Sequence, residues 1–147
     1  MRADRVLLGL TVASLFLVIV VGAYVTVANF GDACGSSVPS DWPGCLGGVF
    51  PPLRLAPVME YLHRLLAALS TLFLFVTTAF VWRRRDFDGT AKKVLLGACA
   101  LLVAQILLGG VVIAQAEESG VVAAQQALAI VTFGFAVAAS VLASRPR

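Results

Sequence analysis

Three ionisable side chains fall in the run Glu60-Tyr61-Leu62-His63-Arg64, at the head of a long apolar stretch. A charged group in the middle of a bilayer costs roughly 2.5 kcal/mol or more and calls for a compensating role. Residues three and four apart share one face of a helix, so Glu60, His63 and Arg64 line one side of the segment. His63 is the chain's one histidine, and neutral imidazole is the commonest side chain for holding a transition metal, haem iron included. The chemistry on offer is metal ligation by His63 with a proton-handling carboxylate, Glu60, beside it. Each residue also has a plainer reading. His63 could satisfy loop backbone or interfacial water, Glu60 could answer the helix dipole, and Arg64 could snorkel to the headgroups.

The elements that must position these groups follow from composition. Hydrophobic residues make up 60% of the chain and charged ones 13%, and the charges cluster so that four apolar runs stay nearly clean. The runs cover about 5–28, 58–82, 94–115 and 121–143. Each exceeds the roughly 20 helical residues needed to cross a hydrocarbon core of about 30 Å. The expected fold is therefore an all-α membrane protein, one antiparallel bundle of four transmembrane helices over residues 1–147. The first run is too long for a signal-peptide core and is read as a permanent helix.

Nine of the eleven basic residues (Arg2, Arg5, Arg83, Arg84, Arg85, Lys92, Lys93, Arg145 and Arg147) fall on one side of such a bundle, and Arg54 and Arg64 on or near the other. The positive-inside rule puts both termini and the 83–93 loop in the cytoplasm and the protein in the cell membrane. The net charge of +3 is then a topology signal, which argues against nucleic acid as a partner. The absence of a nucleotide-binding loop or a nucleophile arrangement argues against hydrolase and transporter chemistry.

The outer loop, 29–57, is long for so small a protein and rich in glycine and proline, which signals tight turns. It carries Cys34 and Cys45 with ten residues between them. In an oxidising compartment a disulfide is the natural reading, with two free thiols or a soft-metal site as alternatives. Cys99, inside the third run, reads as a small buried hydrophobe. The 116–120 connection barely turns the chain, so the last two helices form a hairpin.

Depth relates distant parts of the chain. With the second helix entering near Val58, His63 lies about 8 Å below the outer boundary. Gln125 and Gln126, near the start of the fourth helix, fall at a similar depth, with Gln105 deeper and Gln115 near the outer end of the third helix. Polar side chains on different helices at one level could face a shared cavity, or simply act as interhelical hydrogen-bond glue. Small residues such as Gly97, Ala98, Gly109 and Gly110 point to close helix packing.

In order and spacing, Gly22-Ala23-Tyr24-Val25-Thr26, the Cys34–Cys45 loop with Asp41-Trp42-Pro43-Gly44-Cys45, Phe50-Pro51-Pro52 and Glu60-Tyr61-Leu62-His63-Arg64 resemble the first half of haem A synthase. Gln105-Ile106-Leu107-Leu108-Gly109-Gly110-Val111-Val112 resembles that family's third helix. The resemblance implies a four-helix half of a two-half architecture that oxidises a ring methyl of haem O to the formyl of haem A, with haem b as cofactor. It implies Glu60 as the catalytic carboxylate, His63 as an axial ligand to haem iron, and Cys34 and Cys45 as the loop cysteines. Arg64 and Arg54 are candidates for pairing with haem propionates.

Two departures stand out. A four-helix chain needs a homodimer, or a second half-length chain that keeps its histidine, to rebuild two halves. The fourth-helix position expected to hold a second axial histidine is Gln126, whose neutral amide is a weak or absent ligand. The leading expectation is a haem A synthase-like oxidoreductase. The alternative is a non-catalytic haem-binding or structural subunit of a respiratory oxidase complex. Expected partners are haem O and haem A, membrane lipid, a second copy, and contact with a terminal oxidase or a haem O synthase.

Overall fold

A computed structural model of the protein describes residues 3–37, 41, 43–114 and 118–144. They form four helices, α1 (Ala3–Val27), α2 (Leu55–Arg83), α3 (Gly89–Ala114) and α4 (Ser119–Ser144). All four are long and apolar enough to cross a membrane, and among the described residues there is no strand. The chain is a multi-pass, all-helical membrane protein, as the apolar runs predict.

All four helices start earlier than their apolar runs, α2 and α3 by the most. Helix α2 begins at Leu55 because Pro57 lies in its first turn, where the missing N–H removes no helical hydrogen bond. Helix α3 begins at Gly89 because the Lys92 N–H donates to the Asp88 carbonyl at 3.3 Å, so helical bonding continues through charged residues that hydropathy scores as loop. At the far end of α3, Gln115 and Ala116 lie outside the described residues. The chain re-enters at Glu118, which caps α4: its carboxylate accepts from the Val121 N–H at 3.0 Å. The Gly120 and Val121 amides hold that carboxyl below the usual carboxylate range.

Contacts between helices fix direction and order. Thr11 and Thr77 share a hydroxyl hydrogen bond of 2.8 Å, and Gly22 abuts His63. Gly97 abuts Phe135, Gly109 abuts Gln125, and the Phe16 and Phe133 rings meet with centroids 6.1 Å apart. In each paired set residue numbers rise on one helix as they fall on the other, so neighbours run antiparallel. Helix α1 packs on α2 and α4, and α3 packs on α2 and α4, closing a four-sided ring.

The two ends of the ring differ in packing. At the end bearing the termini, Leu74, Val81, Phe87, Leu95, Ala98, Cys99, Leu102 and Ala139 form a buried cluster, and Thr11 and Thr77 bond each other and the Leu7 carbonyl. Cys99 is a free, buried thiol in hydrogen-bond contact with Thr78, the small-hydrophobe role expected of it. Toward the loop end, no described side chain of α3 beyond Leu102 or of α4 before Ala129 is buried. Bilayer-spanning helices that leave their inward faces part-exposed at one end leave room there for another group.

Candidate functional site

The loop above the open half is held by its own backbone and by one arginine. Helix α1 ends with Asn29 in the left-handed region (φ 54°). The Phe30 N–H donates to the Val25 carbonyl and the Asn29 N–H to that of Thr26, the paired bonds of a helix stop that needs such a conformation. Cys34 and Cys45 form the expected disulfide and are both buried. The Leu46 N–H donates to the Cys34 carbonyl, and Cys45 and Gly48 exchange backbone hydrogen bonds, closing the loop tip. Gly35 sits at φ +85°, and a side chain there would collide with the Asp41 carboxylate, so glycine is required twice over. Trp42 lies outside the described residues.

Arg64 anchors this loop to α2. Its guanidinium donates to the carbonyls of Asp41 (2.7 Å), Gly44 (2.9 Å) and Gly35 (3.2 Å), and pairs with Glu60 Oε1 one turn away. The other Glu60 oxygen accepts from the Cys34 N–H at 2.6 Å. A carboxylate with both oxygens engaged is satisfied in spite of its burial, 3% exposed. The planar fork suits this task, because one guanidinium reaches several carbonyls and a carboxylate at once. Arg54, by contrast, is exposed at the N-cap of α2.

His63, a little round the same helix face, packs onto α1. It is on the same stripe of α2 as Ser70, Leu74 and Thr77, the residues that face the interior. The ring lies on Gly22: a Cβ there would sit 2.6 Å from Cε1, 3.1 Å from Nδ1 and 3.4 Å from Nε2. The imidazole also neighbours the Val18 backbone. Nδ1 is buried and makes no hydrogen bond of normal geometry among the described residues, the Val18 backbone being the polar group nearest to bonding the ring. A buried polar atom without such a bond is a costly feature that a bound group would explain.

The fourth-helix glutamines part company. Gln125 Nε2 lies against Gly109 of α3. Gln126 is seven residues, or two turns, before Phe133, so it shares the stripe of α4 that meets α1 at Phe16. Gly22 lies six residues, about 9 Å, beyond Phe16, and Gln126 about 10 Å beyond Phe133. Gln126 is half-buried on α4. Gln105 is half-buried on α3, and Gln115 lies outside the described residues.

Of the residues singled out from sequence, the fold joins Glu60, Arg64, Cys34 and Cys45 in one network and seats His63 on Gly22 of α1. The sequence reading assigned no role to Gly22 or to the backbone carbonyls that receive Arg64. The i to i+4 spacing of Glu60 and Arg64 is a signal for their ion pair. Nothing local in the sequence pairs Gly22 with His63, a contact made only by packing two helices 41 positions apart (63 − 22). Among the described residues no group of three or more His, Cys, Asp or Glu side chains converges on a metal-sized space. A lone imidazole in such surroundings suits a metal that brings its own equatorial donors, as a porphyrin does.

The chain matches the family described as cytochrome oxidase assembly protein over residues 5–146. It is similar to the heme A synthase of Symbiobacterium thermophilum, 29% identical over 141 residues that cover 96% of this chain and 45% of the relative. Similar relatives are the heme A synthases of Bacillus licheniformis, 28% identical over 84% of this chain and 39% of the relative, and of Alkalihalophilus pseudofirmus, 28% over 92% and 41%. The chain thus spans less than half the length of these curated relatives. No solved structure matches it.

Proposed function

The chain belongs to the cytochrome oxidase assembly protein family, and from that premise we propose that it is a haem A synthase-type membrane oxidoreductase acting as a homodimer. Its substrate is haem O, whose ring methyl it oxidises to the formyl of haem A. The observation that carries this reading is His63: a half-buried imidazole whose buried Nδ1 makes no hydrogen bond of normal geometry among the described residues, one turn from a buried glutamate.

The residues fit a haem b cofactor through the donor set and the room around it. His63 would hold the iron, with Gly22 giving the imidazole its seat, and Gln126 on α4 is a far weaker donor. A haem bound there supplies a one-electron redox centre. The folded loop covers this end, and Arg54, exposed at the start of α2 and in no ion pair among the described residues, is a cation for a propionate. Arg64, engaged by Glu60 and three loop carbonyls, has little capacity left for that role.

Converting methyl to formyl takes one oxygen atom from water and releases four electrons and four protons to an external acceptor. Glu60 is the proton-handling group. Its oxygens are held by Arg64 and by the Cys34 amide, so accepting a proton at either one weakens a charge-assisted bond, and passing that proton on restores the carboxylate and the bond. Loop and carboxylate are in this way mechanically joined.

Pyridine haemochrome spectra and chromatography of extracted haem, from protein produced with and without haem O, test the reading. Haem b together with haem A or its hydroxylated precursor supports the synthase. Haem b alone favours the second reading, a non-catalytic haem-binding subunit of an oxidase complex, which Gln126 and the full engagement of Glu60 recommend. Recovery of no haem overturns both in favour of a structural subunit.

A further inference from the structure

A second concave feature lies away from His63, toward the end bearing the termini. It is an open groove of about 490 Å³ between α1 and α4, lined by Arg5, Leu8, Gly9, Val12, Phe16 and Phe133 among others. Gly9 and Ala13, four residues apart, share the face of α1 that forms its floor, and a Cβ added at Gly9 would meet nothing within 4 Å. The Phe16 and Phe133 rings, 6.1 Å apart, close it at the membrane centre. At the opposite end Arg5 is exposed and in no ion pair among the described residues. The neighbouring acid, Asp4, is buried and in no ion pair with Arg5.

We propose that this groove holds one acyl chain of an anionic phospholipid, with the lipid phosphate on Arg5. Length supports the match. From Arg5 to Phe16 the helix rises through eleven residues (16 − 5), about 16 Å, which is half of a hydrocarbon core of about 30 Å and so one leaflet deep. Charge supports it as well, because Arg5 stands at headgroup level on the end that also carries Arg83, Arg84, Arg85, Lys92 and Lys93. A second copy of the chain is the weaker occupant. A two-fold axis along the membrane normal through this groove brings Arg5 against Arg5, two like charges with no acid between them. The site is separate from His63 and does not depend on the activity proposed above.

The test is native mass spectrometry of the purified full chain released from mixed micelles holding equal amounts of palmitoyl-oleoyl phosphatidylglycerol and phosphatidylcholine. The expected result is one phosphatidylglycerol retained per chain in preference to phosphatidylcholine. Arg5→Gln lowers that retention roughly fivefold, the loss of one interfacial cation. Gly9→Leu, which fills open space without displacing a neighbour, removes it with helix content unchanged by circular dichroism, and Arg83→Gln leaves it intact. Equal retention of the two lipids, or wild-type retention in Arg5→Gln and Gly9→Leu, overturns the proposal. So does a Gly9→Leu chain that keeps its lipid but changes from dimer to monomer in the same spectra, which assigns the groove to a second copy.

Discussion

The Cys34 backbone N–H donates to Glu60 Oε2 at 2.6 Å, so the residue that closes the outer loop through its disulfide also holds the buried carboxylate of α2. Glu60→Gln keeps an oxygen for that amide but gives up the charge that pairs with Arg64. Glu60→Ala gives up both and leaves Arg64 partly buried without its carboxylate, at a cost of roughly 3 kcal/mol. The expectation is no haem A from either variant, with haem retained in Glu60→Gln and the loop cut readily by protease only in Glu60→Ala. Wild-type product from Glu60→Gln would remove the carboxylate from the chemistry.

Removing the Cys34–Cys45 bridge frees a loop that spans eleven positions, which the chain-entropy account values at roughly 2 to 3 kcal/mol. Cys34→Ser with Cys45→Ser, or reductant on the wild type, should lower the thermal midpoint and raise protease sensitivity in residues 29–57. Reductant should do nothing further to the double variant, since the remaining cysteine, Cys99, is free.

Gly22→Ala puts a methyl group where the His63 ring lies, 2.6 Å from Cε1. His63 must move, because the methyl stands on helix backbone that cannot give way as a flexible side chain would. Haem occupancy should fall and the Soret band should shift, while His63→Ala should abolish binding. A Gly22→Ala protein with unaltered spectrum and occupancy would separate this contact from haem binding.

Gln126→His tests the register drawn from the Phe16 and Phe133 pair. A second imidazole there should turn a high-spin or weakly six-coordinate haem into a low-spin bis-imidazole one, visible by electron paramagnetic resonance and as sharpened visible bands. Gln125→His, facing α3 at Gly109, should not.

The Glu118 cap gives a pH dependence with a defined sign. Backbone amides of Gly120 and Val121 lower its carboxyl below the ordinary value in the folded state. The contribution is therefore complete above the unfolded value of about 4.3 and fades as pH falls through the lower folded value. The protection factor of the Val121 amide, its exchange rate corrected for the intrinsic pH dependence, should fall in the wild type as acid protonates Glu118. In Glu118→Gln that protection should be lower than in the wild type at neutral pH and change little with acid.

Much of the architecture was legible in the chain because lipid demands long apolar helices and satisfied backbone groups. The apolar runs located all four helices, and the compartment of the loop pointed to the Cys34–Cys45 bridge. Their ends were less legible. Hydropathy sees where lipid stops, whereas Thr90, Lys92 and Lys93 go on making helical bonds in the interface. Within the site, the i to i+4 spacing foretold the Glu60–Arg64 pair but not its destination. Arg64 reaches three carbonyls whose positions depend on how the loop folds, and a backbone acceptor leaves no trace in side-chain identity. Gly22 was hidden for a related reason: its importance is a missing atom opposite a ring on another helix.

The coordination of Arg64 also bears on how the chain is made. The loop leaves the ribosome before α2, yet the carbonyls of Gly35, Asp41 and Gly44 converge on a guanidinium encoded after them. The disulfide can close as soon as Cys45 has been translocated, but the final shape of the loop waits for α2 to insert. When α2 does insert, Glu60 and Arg64 travel as a neutral pair one turn apart, which lessens the cost of carrying either charge into the interface. A nascent chain halted just before Arg64 should therefore hold an oxidised loop that has not yet folded.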